Sequence, residues 1–208
     1  TASGLAARAS VTWTWSETER ALHVTVAGPQ GDVLSAASLT RLRGALDRVR
    51  DPNRPLFLAN FVRVPIVVKA RLLRDPAFGS DAMPEDARAR LTAFFAFAAM
   101  PLGEAVFASQ IYSVLQGAKG VAAVDLDIFQ LKHYEELSPI EQAARAVDLA
   151  PRQPHIRIFP ARPTPPLALI DRYARAGFTG APPPVLAAEQ AFIADPATDL
   201  NLTAVEAL

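Results

Sequence analysis

Asp125 and Asp127 are the residues whose type and spacing come closest to chemistry. They stand two apart in Val121-Ala-Ala-Val-Asp-Leu-Asp-Ile-Phe129, a stretch that reads as a strand. On a strand, alternate side chains share a face, so both carboxylates project together about 7 Å apart. That spacing could hold a divalent cation or divide acid and base roles. It also suits a structural role. Arg63, Lys69 and Arg71 share the outer face of the stretch from 61 to 73. If the two strands are neighbours, opposite charges meet across the sheet and contribute roughly 0.2–1 kcal/mol each. Structural charge pairing is the expected role of all five residues.

Trp13 and Trp15 lie on one face of Val11-Thr-Trp-Thr-Trp15. They could stack a ligand, but packing in a core or against another subunit is expected. His23, His133 and His155 are scattered, without H-x-x-x-H or H-x-E spacing, and cysteine is absent. No G-x-S-x-G elbow occurs, and Gly117-Ala-Lys-Gly120 lacks the spacing of a phosphate-binding loop. No catalytic residue, cofactor or metal is therefore expected.

The 208 residues allow one large or two small domains, and half of them are hydrophobic. A chain of this size buries roughly 70% of its extended surface, so it needs no staple. Lys plus Arg equals Asp plus Glu at 21 each, which argues against an electrostatic nucleic-acid binder. Thr1-Ala-Ser-Gly4 opens the chain without methionine, which predicts a piece of a longer protein. Uncharged runs from 91 to 103 and from 105 to 118 fall short of the ~18 residues of a membrane span.

The elements that would position these residues follow from periodicity. Residues 1–10 read as a lead-in, and 11–15 with 21–27 as a hairpin. A helix from about Ser38 presents Leu39, Leu42, Leu46 and Val49 at helical spacing. The segment 61–73 is a long strand with Val62, Val64, Ile66, Val68, Ala70 and Leu72 on one face. Pro65 cannot donate to a ladder, so it predicts an edge or bulge open to strand addition. Helices are expected over 84–99 and 104–116, with the strand 121–129 returning. Phe94, Phe95 and Phe97 point in different helical directions and cannot all face one core, so Phe94 and Phe97 are contact candidates. Ten of the 18 prolines fall in the last 58 residues. There a helix is expected over 138–149, another over 164–176 and a third from 182 to 193. Leu169, Tyr173 and Phe192 are their apolar contact candidates. The expected class is α+β: a two-layer mixed sheet of about four strands with helices on one face, plus a proline-rich extension with short helices. Its divisions are a domain over 11–136, centred on 55–130, and an extension over 137–208.

Pro101-Leu-Gly103 before a helix, Ser109-Gln-Ile111 inside it and Gly120-Val121 opening a strand complete a distinctive order. Residues 55 to 130 thereby resemble the C-terminal half of baseplate J-like proteins, wedge subunits of contractile phage tails and related injection systems. The resemblance implies assembly rather than catalysis. Its expected partners are related or identical wedge subunits, hub or spike proteins and sheath-side proteins, within a large hetero-oligomer. Nucleic acid binding and membrane insertion are not expected. It implies assembly in the bacterial cytoplasm and residence in the baseplate, with the extension docking on neighbours. The alternative is a small-molecule or metal-binding accessory domain using Asp125 and Asp127 or the tryptophans.

Overall fold

A computed structural model describes residues 4–16, 19–78, 82–133, 136, 155–156, 158–163 and 185–206. The side chains of 15–16, 19, 155, 162–163 and 185 are not among those described. The chain folds into two compact units made of interleaved segments. Unit 1 takes Thr1–Arg63, Pro101–Glu104 and Phe159–Gln190; unit 2 takes Val64–Met100, Ala105–Ile158 and Ala191–Leu208.

Unit 1 is built on a three-stranded sheet in the order β1-β2-β3. Strands β1 (Arg8–Ser16) and β2 (Glu19–Ala27) pair antiparallel, with Trp13 opposite Leu22 and Val11 opposite Val24. Helix α1 (Ala36–Asp47) starts where Ser35 accepts a hydrogen bond from the Ser38 N–H. It returns the chain to β3 (Leu56–Asn60), which lies parallel to β2. Leu22, Val24 and Val26 of β2 and Leu56 and Leu58 of β3 pack with Leu39, Leu42 and Leu46 of α1. On the opposite face of β2, Ala21, His23, Thr25 and Ala27 are also buried. Strands β8 (Arg162–Pro163) and β9 (Val185–Leu186) pair antiparallel in the same unit.

Unit 2 is organised around β4 (Val62–Arg74). Its even positions from Val64 to Leu72 are buried and Arg63, Lys69 and Arg71 are exposed, as alternation requires. Strand β6 (Val121–Leu131) pairs with it antiparallel and β11 (Leu200–Val205) pairs parallel. Strand β10 (Glu189–Phe192) joins the same four-stranded sheet. Helices α2 (Met83–Phe94) and α3 (Ala108–Gln116) bury Met83, Ala87, Leu91, Ala108, Ile111 and Leu115. Strands β5 (Val106–Phe107) and β7 (His155–Ile156) form a short pair, and α4 (Pro196–Asp199) leads into β11.

The α+β class is as expected. Several finer expectations are corrected. The hairpin strands do not share a sheet with β4, because residues 56–60 form an additional strand that closes the first sheet. Residues 185–186 and 189–192 are strands rather than part of a helix from 182 to 193. Helix α2 ends at Phe94, five residues before the expected Ala99. The expected helices over 138–149 and 164–176, with Leu169 and Tyr173, lie outside the described residues.

Candidate interaction surface

Trp13 stands on the face of the first sheet that α1 covers elsewhere. It is 47% exposed and its neighbour Val11 is 61% exposed, whereas Val24 beside Val11 is only 8% exposed. Two arginines flank the indole. The guanidinium carbon of Arg20 lies 5.1 Å from the ring centroid and that of Arg54 lies 5.3 Å from it. Both distances suit cation–π attraction. Trp15 pairs with Arg20 in the strand register, but its side chain is not described.

The other sequence candidates are dispersed. Arg71 brings Asp125 and Asp127 together: it bonds to Asp125 and lies 3.3 Å from Asp127. Arg71 and Asp125 are register partners, and a bulge at Lys69/Ala70 leaves Asp127 as the extra residue on β6. Arg63 instead donates to the Gly31 carbonyl, and Lys69 is exposed opposite Ile128. Because the Arg71 and Asp125 side chains are more than half exposed, the pair contributes about 0–1 kcal/mol. Exchanging them, as Arg71→Asp with Asp125→Arg, should therefore shift a urea midpoint very little. A loss above about 2 kcal/mol would mean that this cluster does more than pair.

Pro65 lies in a strand paired with three others, so it does not mark the edge of its sheet. The irregularities of β4 fall at Lys69/Ala70 and Leu73/Arg74, away from the proline. The β6 register begins only at Ile66, so no N–H is asked of Pro65 on that side, and its carbonyl still accepts from the Lys132 N–H at 2.9 Å. Phe94 is half-buried and meets the buried Phe95 edge-on at 4.9 Å. Phe97 and Phe192 are half-buried.

Sequence reasoning missed three buried polar groups. In unit 2, Lys132 Nζ lies 2.6 Å from the buried Asp199 carboxylate, which also accepts the Asp195 N–H at 3.0 Å. Burial alone would raise the Asp199 pKa, but the hydrogen bonds from Lys132 and Asp195 outweigh it and hold the carboxyl below its usual range. In unit 1, the buried Glu189 carboxylate accepts the Phe159 N–H at 3.1 Å. Also in unit 1, the Ala188 N–H donates to Thr25 Oγ1 at 3.0 Å, and that oxygen lies 3.2 Å from His23 Nδ1. With the hydroxyl oxygen accepting from Ala188, the hydroxyl proton is assigned to Nδ1, which fits a neutral imidazole. The alternation of Ala21, His23, Thr25 and Ala27 with Leu22, Val24 and Val26 was the available signal that β2 is buried on both faces.

Burial lowers the His23 pKa from 6.5 to about 4. The unfolded chain therefore takes up a proton between those values that the folded chain refuses. Stability is present in full above pH 6.5 and falls as the pH drops toward 4, by an amount on the order of 3 kcal/mol. His23→Gln should flatten that slope in urea melts taken between pH 7 and 4. An unchanged slope would place the proton uptake elsewhere.

Among the described residues, no three of His, Asp and Glu gather as metal ligands would, and no helix is long and apolar enough to cross a membrane. A comparison with curated proteins finds no match. A family model does match, over residues 2–59, and it is described as the baseplate J-like central domain. The match spans β1, β2, α1 and β3 to its penultimate residue. It shares only 55–59 with the 55–130 stretch that carries the sequence resemblance, so the motifs at 101–103, 109–111 and 120–121 lie outside it. The similarity thus falls on the hairpin, helix and parallel strand of unit 1, and from residue 2 to residue 59 the chain is similar to the baseplate J-like central domain.

Proposed function

We propose that the chain is a structural wedge component of the baseplate of a contractile phage tail or related injection system. It assembles around the hub or spike and links the baseplate to the sheath, alongside related or identical wedge subunits. It does no chemistry of its own. It is made and assembled in the bacterial cytoplasm and then resides in the particle. The observation that carries this reading is the baseplate J-like match, which coincides with one contiguous run of unit 1. The exposed Val11 and Trp13 support it as surface available for a neighbour. The stretch from 137 to 208 also belongs to this proposal as a docking element. Its described residues, however, include Ile156, Ile158, Leu200 and Leu202, which pack inside unit 2 of the same chain.

The test is to purify tail particles from cells carrying an affinity tag on this chain. The expected result is recovery with sheath, hub and other wedge proteins at a fixed stoichiometry, with no baseplate formed when the gene is deleted. Complete, contractile particles formed without the chain would overturn the proposal.

A further inference from the structure

Strand β1 is one edge of its sheet, and its apolar row is the part that α1 leaves uncovered. The reason is dimensional. A helix with its side chains is about 10–12 Å across, whereas strands lie about 4.8 Å apart. One helix therefore covers two strands, here β2 and β3. Trp13 lies in the row of Leu22 and Leu56, and Val11 in the row of Val24 and Leu58. Away from β1 both rows are buried or half-buried under α1, with Val24 and Leu56 buried and Leu22 and Leu58 half-buried.

The rim of this face is cationic. Arg20 and Arg54 lie within cation–π range of the same indole. An arginine stacked on an aromatic face uses the flat side of its guanidinium, while its N–H donors point outward in the plane. Those donors suit a carboxylate, which takes two of them side by side. Arg54 also pairs with Asp51 at 3.4 Å, in an interaction exposed to water on both sides. Among the described residues, no carboxylate pairs with Arg20.

We propose that this face receives an amphipathic segment of a partner protein, with its apolar side on Val11 and Trp13 and its carboxylates on Arg20 and Arg54. The inference rests on the assembly role proposed above and names the chemistry of one partner. Burying the indole removes apolar surface from water, and the two guanidiniums select acidic flanks over basic ones. The contact should accordingly weaken as salt rises.

The test uses the full chain and three synthetic helical peptides sharing one leucine face. Their flanking residues are Glu, Gln or Lys, and binding is read by calorimetry at low and physiological salt. The Glu peptide should bind at least tenfold more tightly than the Gln peptide, and the Lys peptide should not bind. Arg20→Glu with Arg54→Glu should cost the Glu peptide at least tenfold and transfer the preference to the Lys peptide, with an unchanged thermal melt. Trp13→Ser should weaken all binding. Equal affinity for the Glu and Lys peptides would overturn the proposal, as would indifference to the arginine pair. So would a single-stranded oligonucleotide that displaces the Glu peptide at lower concentration than the peptide itself, or self-association of the chain through Trp13. Peptide binding is read apart from particle assembly, so failure here with normal incorporation into tails would sink this inference alone.

Discussion

Gly103→Ala is expected to destabilise unit 1 by on the order of 2–5 kcal/mol. Gly103 has φ +78°, a left-handed conformation that costs a residue with a Cβ about 1–2 kcal/mol. A Cβ placed there would lie 2.8 Å from Pro160 Cα and 3.2 Å from Pro160 N. The obstruction is backbone and a rigid ring, so it cannot swing aside, and overpacking of this kind costs about 1–3 kcal/mol more. The site is also tied by hydrogen bonds. The Gly103 N–H donates to the Glu189 carbonyl at 2.7 Å, and the Glu189 N–H donates to the Phe159 carbonyl at 2.9 Å. Urea denaturation measures the loss. Gly44→Ala is the contrast, since nothing lies within 4 Å of a Cβ at that exposed position in α1. It should leave stability unchanged or raise it by up to about 1 kcal/mol. If both variants melt alike, the close approach at Gly103 is wrong.

Leu200→Ala is expected to cost about 2–5 kcal/mol, the range for deleting a fully buried leucine side chain. Leu200 is wholly buried and is the register partner of Val68, itself wholly buried at the middle of β4. Leu126→Ala should cost less, because Leu126 is only half-buried at the margin of the same core. The pair of measurements tests whether β11 completes the core of unit 2. It bears also on a chain cut after Ala150, which would lose Ile156, Ile158, Leu200 and Leu202 from that core. Such a chain should be insoluble. A soluble truncation with a sharp melt would show that these residues serve a neighbour instead.

Much of unit 2 was legible because its signals are local. The alternation from Val64 to Leu72 and the helical spacing around Leu91 and Ile111 each depend on a few adjacent residues. The pairing of Arg71 with Asp125 is not local: the two are 54 residues apart, and alternation puts their charges on a shared face only if β4 and β6 are neighbours, which they are. The partnership of Arg63 was not legible. Its guanidinium bonds to Gly31, in a loop that alternation does not describe. The strand at 56–60 was hidden behind Asp51-Pro-Asn-Arg-Pro55, which reads as a turn running straight into the next strand. Pro182-Pro-Pro184 reads as a helix opening, and Leu186, Ala187, Ala188 and Ala191 favour helices when taken alone, yet 185–186 and 189–192 are strands. Tertiary pairing overrode that preference, as it does where a segment completes a sheet. The arginines around Trp13 come from the start of β2 and from the lead into β3, so only the fold brings them to one ring.

The interleaving of the two units has a consequence in time. The chain passes between them at 63–64, 100–101, 104–105, 158–159 and 190–191. Thr25 waits for Ala188, which is 163 residues downstream. At synthesis rates of roughly 5–20 residues per second, that interval lasts on the order of ten seconds or longer. Throughout it, the hairpin and α1 can form from neighbouring residues, but the His23 and Thr25 face of β2 has nothing to lie against. A nascent chain would carry that face bare on the ribosome, and the late arrival of residues 185–190, rather than the early hairpin, would set when unit 1 becomes safe from misassociation.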